Sequence, residues 1–295
     1  MKKIFLMLLV LSLTFTLLAS CGGTPSGEEG APTGGEGAGE GGTTDGGTAN
    51  GGASGNGGEE PTPPAPIKEA ELFYEPTADG TGYTVVHNNT SDAVVATVPA
   101  TYEGKPVVAI GASAFEMCES LMTVTLPESI TSIGESAFLG CTSLLSFALP
   151  DSVTSIGNFA FYGCYNLASF AVSENLTSVG MQAFEGTAYY NNAANWEAGV
   201  LYLGKYLVSV KTDVTACTVK EGTAFIAGSA FHSCKSLTTV SIPASVTHLG
   251  VGAFFSCTAL AEIRYAGTSE AWENVTKEMY WDMDAGDYTV VFLGE

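Results

Sequence analysis

The chain has 295 residues, 10 of them Lys or Arg against 31 Asp or Glu, for a formal charge of -21. That length accommodates one large domain or two small ones. The acidity keeps a chain soluble and repels phosphate backbones at long range, so nucleic acid is excluded as an expected partner.

Residues 1–20 read as a removable signal. Lys2 and Lys3 precede an apolar run from Ile4 to Leu18, with small residues after it. The run falls short of the roughly 20 apolar residues of a membrane span. Leu18-Ala19-Ser20-Cys21 resembles a bacterial lipobox. That implies cleavage before Cys21, lipidation of its thiol, and a protein anchored on the extracellular face of a bacterial membrane. Cys21 and the stretch to residue 66 form the next unit. Seventeen of the 45 positions in 22–66 are Gly, seven are Asp or Glu, and none is Lys or Arg. With so little to bury, this stretch is expected to stay disordered. As a tether it averages about 35–40 Å end to end.

Residues 67–109 are expected to hold an N-terminal cap and a first irregular coil. From 110 to 266 the chain repeats itself. Ala-Phe pairs end at Phe115, Phe138, Phe161, Phe184, Phe231 and Phe254, at steps of 23, 23, 23, 47 and 23 residues. Three residues after five of them stands Cys (Cys118, Cys141, Cys164, Cys234, Cys257), and three later Leu. An alternating pair follows, such as Val124/Leu126 or Val240/Ile242, and Pro closes it in three copies. Alternation marks a strand with one buried face, which Pro ends because it cannot donate to a ladder. Ile or Leu at 133, 156 and 249, followed by Gly, marks a second short extended piece. Phe and Cys at i, i+3 share a face of a helical turn. The reading is a repeat solenoid of about 23 residues per coil. A parallel β-sheet forms one face; short extended pieces and helical turns form the other. One such coil cannot bury its apolar side, but stacked coils can.

The pattern C-x-x-L-x-x-V-x-L-P-x-S-V-T-x-I-G-x-x-A-F resembles the leucine-rich repeats of BspA-like bacterial surface proteins, over roughly residues 83–280. "NWEAGVLYLGKYLVSV" (Asn195–Val210) is similar to that family's hairpin-bearing coil and places an irregular coil at 187–226. "YAGTSEAW" (Tyr265–Trp272) resembles its closing segment and opens a C-terminal cap over 267–295. The resemblance implies a surface protein that binds or adheres to other proteins, with no fixed binding residue to carry over.

The chemistry of enzymes is not legible. One Cys per coil does not converge as metal ligands do, so buried free thiols are expected, Cys217 among them. His87, His232 and His248 fall at unrelated coil positions, and no Ser-His-Asp or Cys-His arrangement surrounds them. "DMDAGD" (Asp282–Asp287) lacks the Gly and Glu of a calcium loop. No catalytic role, metal or cofactor is assigned. The candidate binding residues are those between the buried strand positions, Thr123, Thr125, Ser146, Ser169, Thr239, Ser241 and Arg264, with Trp196 on the hairpin. A smooth hydroxyl-rich face suits an extended peptide, and a glycan is the alternative; a merely solvated face with β-favouring Thr remains open.

Overall fold

The computed structural model describes residues 67–295, so the signal, Cys21 and tether expected over 1–66 lie outside the described residues. Strands β1 (Leu72–Pro76) and β2 (Tyr83–Asn88) form an antiparallel hairpin. β3 (Val95–Thr97) follows, and β4 (Thr101–Tyr102) folds back on β5 (Lys105–Ile110), which pairs with β2 in parallel. Stacking starts at that parallel pair. Three regular coils then add two short strands each: β6 (Thr123–Thr125) and β7 (Ser132–Ile133), β8 (Ser146–Ala148) and β9 (Ser155–Ile156), β10 (Ser169–Ala171) and β11 (Ser178–Val179).

Next the chain leaves the repeat. Helix α1 (Ala188–Asn191) leads into β12 (Trp196–Glu197), β13 (Val200–Leu203) and β14 (Tyr206–Val210), an antiparallel meander. Regular coils resume with β15 (Ala216–Thr218), β16 (Phe225–Ile226), β17 (Thr239–Ile242), β18 (His248–Leu249) and β19 (Glu262–Tyr265). Helix α2 (Ser269–Glu273), capped by the Thr268 hydroxyl, precedes β20 (Thr276–Lys277) and β21 (Thr289–Phe292).

Each coil therefore feeds two parallel ladders. The first holds β3, β6, β8, β10, β15, β17, β19 and β21; the second holds β2, β5, β7, β9 and β11, then β14, β16, β18 and β20, with β1 and the β12–β13 pair added to its sheets as antiparallel strands. The sequence leads one to expect the first ladder as a single sheet. It is instead divided into β3–β6, β8–β10 and β15–β17–β19–β21. The second ladder runs unbroken from β1 through β11, then again from β12 through β20.

The Ala-Phe segment departs from the expected helical turn. In every copy two residues four apart take left-handed φ: Ser113 and Met117, Ser136 and Gly140, Phe159 and Gly163, Gln182 and Gly186, Ser229 and Ser233, Gly252 and Ser256. A left-handed residue cannot continue an α-helix, so the segment becomes tandem tight turns. Cys118 N–H donates to Phe115 O at 3.2 Å within its turn, while Phe115 N–H reaches the next coil at Ala137 O, 2.8 Å away. Tight turns free backbone groups to bond between coils, which a helix would keep to itself.

The core is a column of rungs. Phe115, Phe138, Phe161 and Phe184 stack at 5.1, 5.3 and 5.7 Å with ring planes within 6° of parallel. Phe147 and Phe170, from the first ladder, meet them edge-on at 4.8–5.0 Å. Mixed stacked and edge-on packing of this sort adds about 0.5–1.5 kcal/mol per pair beyond burial.

The 47-residue step has a local cause. Regular coils bond through the Gly after the second-ladder strand: Gly157 N–H to Ile133 O, Gly180 N–H to Ile156 O, both 2.8 Å. The corresponding bond of Gly228 goes to Val179 O at 2.9 Å, 49 residues back. The intervening coil supplies β14 but carries no Ala-Phe turn, so at this corner its neighbours close directly on each other. The extra residue, Ala227, keeps the ladder bond to Leu207 O at 2.9 Å.

The "DMDAGD" segment is also a coil. Tyr280 and Asp284 repeat the left-handed pair four apart. Phe254 N–H bonds Trp281 O at 2.6 Å and Ser256 N–H bonds Met283 O at 3.0 Å, as one coil does to the next.

Candidate functional site

The first ladder's alternation places its inward residues in the core and its hydroxyls outside. Ser146 pairs with Ser169 and Ala148 with Ala171 across β8–β10. Thr123 and Thr125 pair with Val95 and Thr97. In the last block Ala216, Thr239, Glu262 and Thr289 form one outward row, and Thr218, Ser241, Arg264 and Val291 the other. Thr123, Thr125, Ser146, Ser169 and Arg264 are exposed; Thr239 and Ser241 are half-buried. All seven thus face outward on one ladder, but in three separate sheets.

Two of the larger side chains are already engaged. The Arg264 guanidinium pairs with Glu262 on its own strand. Trp196 is not on this ladder at all: β12 extends the second-ladder sheet. Its indole N–H donates to Tyr190 O at 2.6 Å, Tyr190 packs edge-on at 5.1 Å, and the Lys211 ammonium sits 5.3 Å from the ring centre. The structure brings the hydroxyl residues together and leaves Trp196 apart from them.

The closing aromatics belong to the core. Trp272 is buried against Tyr265 at 5.1 Å and Trp281 at 6.1 Å, and the Lys277 ammonium lies 4.5 Å over it. Asp282 accepts the Tyr288 hydroxyl at 2.6 Å. Burial, with that hydrogen bond, raises the pKa of the Tyr288 phenol.

All six cysteines from Cys118 to Cys257 are free and buried. Cys141, Cys164 and Cys257 donate to the Phe carbonyl of the preceding coil at 3.0–3.1 Å. Thr187 at the same position donates to Phe184 O at 2.8 Å in its own coil. The column therefore needs a small buried side chain with one proton to donate. The neighbouring Cys164 sulfur and burial hold Cys141 well above the ordinary thiol range, and burial pushes Cys217 up to about 12. Among the described residues no group of three or more His, Cys, Asp or Glu is placed to hold a metal. His248 bonds Glu278 at 2.9 Å, and Glu278 also accepts Val251 N–H at 3.1 Å, so this pair ties the last coils together.

A family model described as BspA type leucine rich repeat region matches six copies, over residues 103–206 and 191–278, more than half the chain. The chain belongs to the BspA-type leucine-rich repeat family. Among solved structures, a T. pallidum leucine-rich repeat protein is 28% identical, with 65% of this chain and 78% of that one covered and a TM-score of 0.42. A Bacteroides ovatus leucine-rich repeat protein is 31% identical over 66% of this chain and 45% of its own, with a TM-score of 0.41. A Bacteroides capillosus leucine-rich repeat protein is 28% identical over 41% and 91%, with a TM-score of 0.36. No curated protein matches.

Within this BspA-type chain the sequence reading passed over Met117, Met122, Leu145, Tyr162 and Tyr165, each 37–62% exposed. Their signal was available. Tyr165 stands where other copies carry Glu119, Thr142, Lys235 or Thr258, an aromatic at a position otherwise polar, and Met122 and Leu145 stand where the others carry Ala168, Thr238 and Ala261. With the turn read as helical, those positions had no assigned face.

Proposed function

We propose that this BspA-type chain is a cell-surface lipoprotein whose coils bind another protein, the lipid on Cys21 anchoring it and residues 22–66 holding the coils off the membrane. The observation that carries this reading is the outward register of the first ladder: small hydroxyl side chains in aligned rows beside a surface that offers no catalytic grouping. A pre-formed face of that kind costs its ligand little ordering on the protein side. Hydroxyls alone supply little affinity, because binding hot spots concentrate in aromatic and Arg side chains. An extracellular protein suits the surface better than a glycan, since the exposed aromatics Tyr162 and Tyr165 sit at a corner beside Met and Leu side chains.

Two experiments test the two halves. Cys21→Ala should release the protein into the medium or block its processing, read by fractionation; unchanged membrane association and processing would refute the anchor. A Ser146→Arg/Ser169→Arg variant that still folds should lose its protein ligand in a pull-down of surface proteins, and a glycan array should stay blank. Normal protein binding by that variant would move recognition off the ladder face.

A further inference from the structure

Large apolar side chains left in water are not spread over the coils. From Lys105 to Glu278 there are five that are exposed, Met117, Met122, Leu145, Tyr162 and Tyr165, and all lie in the first three regular coils. They share the corner joining the tandem turns to the first ladder. Bonds between coils fix the rows: Met117 N–H to Leu139 O at 2.7 Å, Gly140 N–H to Tyr162 O at 2.8 Å, and Gly163 N–H to Glu185 O at 2.9 Å. So Glu116, Leu139, Tyr162 and Glu185 form one row, and Met122, Leu145 and Ala168 another. Glycine at 140, 163 and 186 lets the large side chains lie flat. Met117 Sδ covers Gly140, and the Tyr165 ring lies over Gly163 and Gly186. After the hairpin the same corner carries Ser233, Lys235, Thr238, Ser256 and Thr258, and Phe255 is covered by the His232 ring at 5.4 Å.

The charge around the patch has one sign. From Pro106 to Gly204 the chain has eight acidic residues and no Lys, Arg or His. Glu116 and Glu119 are exposed on the patch and enter none of the ion pairs among the described residues. A hollow of about 370 Å³ opens beside Glu116 and Met117, walled by His87, Asn89, Ser91 and Ser113. A contiguous exposed apolar patch of this kind marks an interaction surface.

We propose that this corner docks an extended, basic segment of a partner protein, its apolar side chains on Leu145, Tyr162 and Tyr165 and its Lys or Arg side chains against Glu116 and Glu119 at one end and Glu185 at the other. Charge decides among occupants. A second copy would set acid against acid, anionic lipid would be repelled, and residues 22–66 are themselves acidic without one base. The rings stack at 5.1–5.7 Å per coil. Three coil steps between the flanking carboxylates therefore span about 16 Å, or roughly five residues of extended chain. The partner segment carries bases that far apart with an apolar residue between them. This deepens the reading of the coils as a protein-binding surface and rests on it.

Random linear peptides of about seven residues, displayed on phage, are selected on the immobilised whole protein, and the enriched sequences are titrated in solution. Enrichment should favour Lys or Arg flanking an apolar residue, with affinity falling as salt rises. Glu116→Gln/Glu119→Gln and Tyr162→Ser/Tyr165→Ser should each weaken binding about tenfold with unchanged thermal unfolding, because all four side chains are exposed. Enrichment of peptides without bases, no enrichment at all, or full binding by both variants would overturn the proposal, as would dimerisation or vesicle binding lost on Tyr162→Ser/Tyr165→Ser. Ser146→Arg/Ser169→Arg, on the ladder face, separates the two readings. Loss there with both corner variants normal leaves the ladder-face reading standing and defeats this one; the opposite result does the reverse.

Discussion

Phe161 shows what one residue does in a repeat. Its ring is sandwiched between Phe138 and Phe184 and met edge-on by Phe147 and Phe170. Phe161→Ala should cost about 3–5 kcal/mol by transfer and cavity terms, measured by chemical denaturation. A loss near zero would place the ring outside the column. The thiols give a second test at this scale. Buried, the six from Cys118 to Cys257 should not react with a thiol reagent in the native protein and should all react once it is unfolded. The raised pKa of Cys118, Cys141, Cys217 and Cys257 also fixes a sign. The neutral thiol is the form the fold holds, so its contribution is complete below the ordinary value of 9.0 and is lost as pH rises toward the value of about 12 at Cys217. Thermal stability should therefore decline across that alkaline window. A flat profile would show the thiols in contact with water.

At the scale of the element, the Gly corner matters most. A Cβ at Gly157 would lie 2.5 Å from Glu135 N and 2.6 Å from Gly134 C, both backbone atoms of the preceding coil. The coils can close only without that carbon. Gly157→Ala should reach or exceed the upper end of the about 1–3 kcal/mol seen for overpacked sites. Gly222, with φ +80 and nothing within 4 Å of the added carbon, should cost only the about 1–2 kcal/mol of a left-handed residue on going to Ala. Similar losses for both, by denaturation, would contradict the stacking geometry. Strands and buried positions were legible because each coil repeats the same apolar spacing at Phe, Cys, Leu and the alternating pair. The tandem turns were not. Phe115 and Cys118 share a face in a helical turn and in these turns alike, and the left-handed positions are held by Ser, Met, Phe and Gln as well as Gly. The missing Ala-Phe pair of the β14 coil is legible, but not that its neighbours close directly on each other, since Gly228 meets Val179 through space rather than at the repeat period. The hydroxyl rows followed from alternation, whereas the division of their ladder into three sheets and the separate place of Trp196 depend on which strands bond.

The whole molecule has a polarity that the repeat conceals. The three regular coils before the hairpin are acidic, hold no base of their own and carry Tyr162 and Tyr165 exposed; from the hairpin onward come Lys205, Lys211, Lys220, Lys235, Arg264 and Lys277 and a hydroxyl-lined corner. A uniform stack has become two surfaces joined at the broken corner. Recognition is assigned to the first, on its ladder face and adjoining corner. Amide hydrogen exchange of the whole protein, with and without its tightest selected basic peptide, tests that assignment most directly. Slowed exchange should be confined to residues 113–186, with the coils after Lys205 and the stretch 22–66 unchanged. Protection in the closing coils around Trp272 and Trp281, or in the stretch before residue 67, would contradict it.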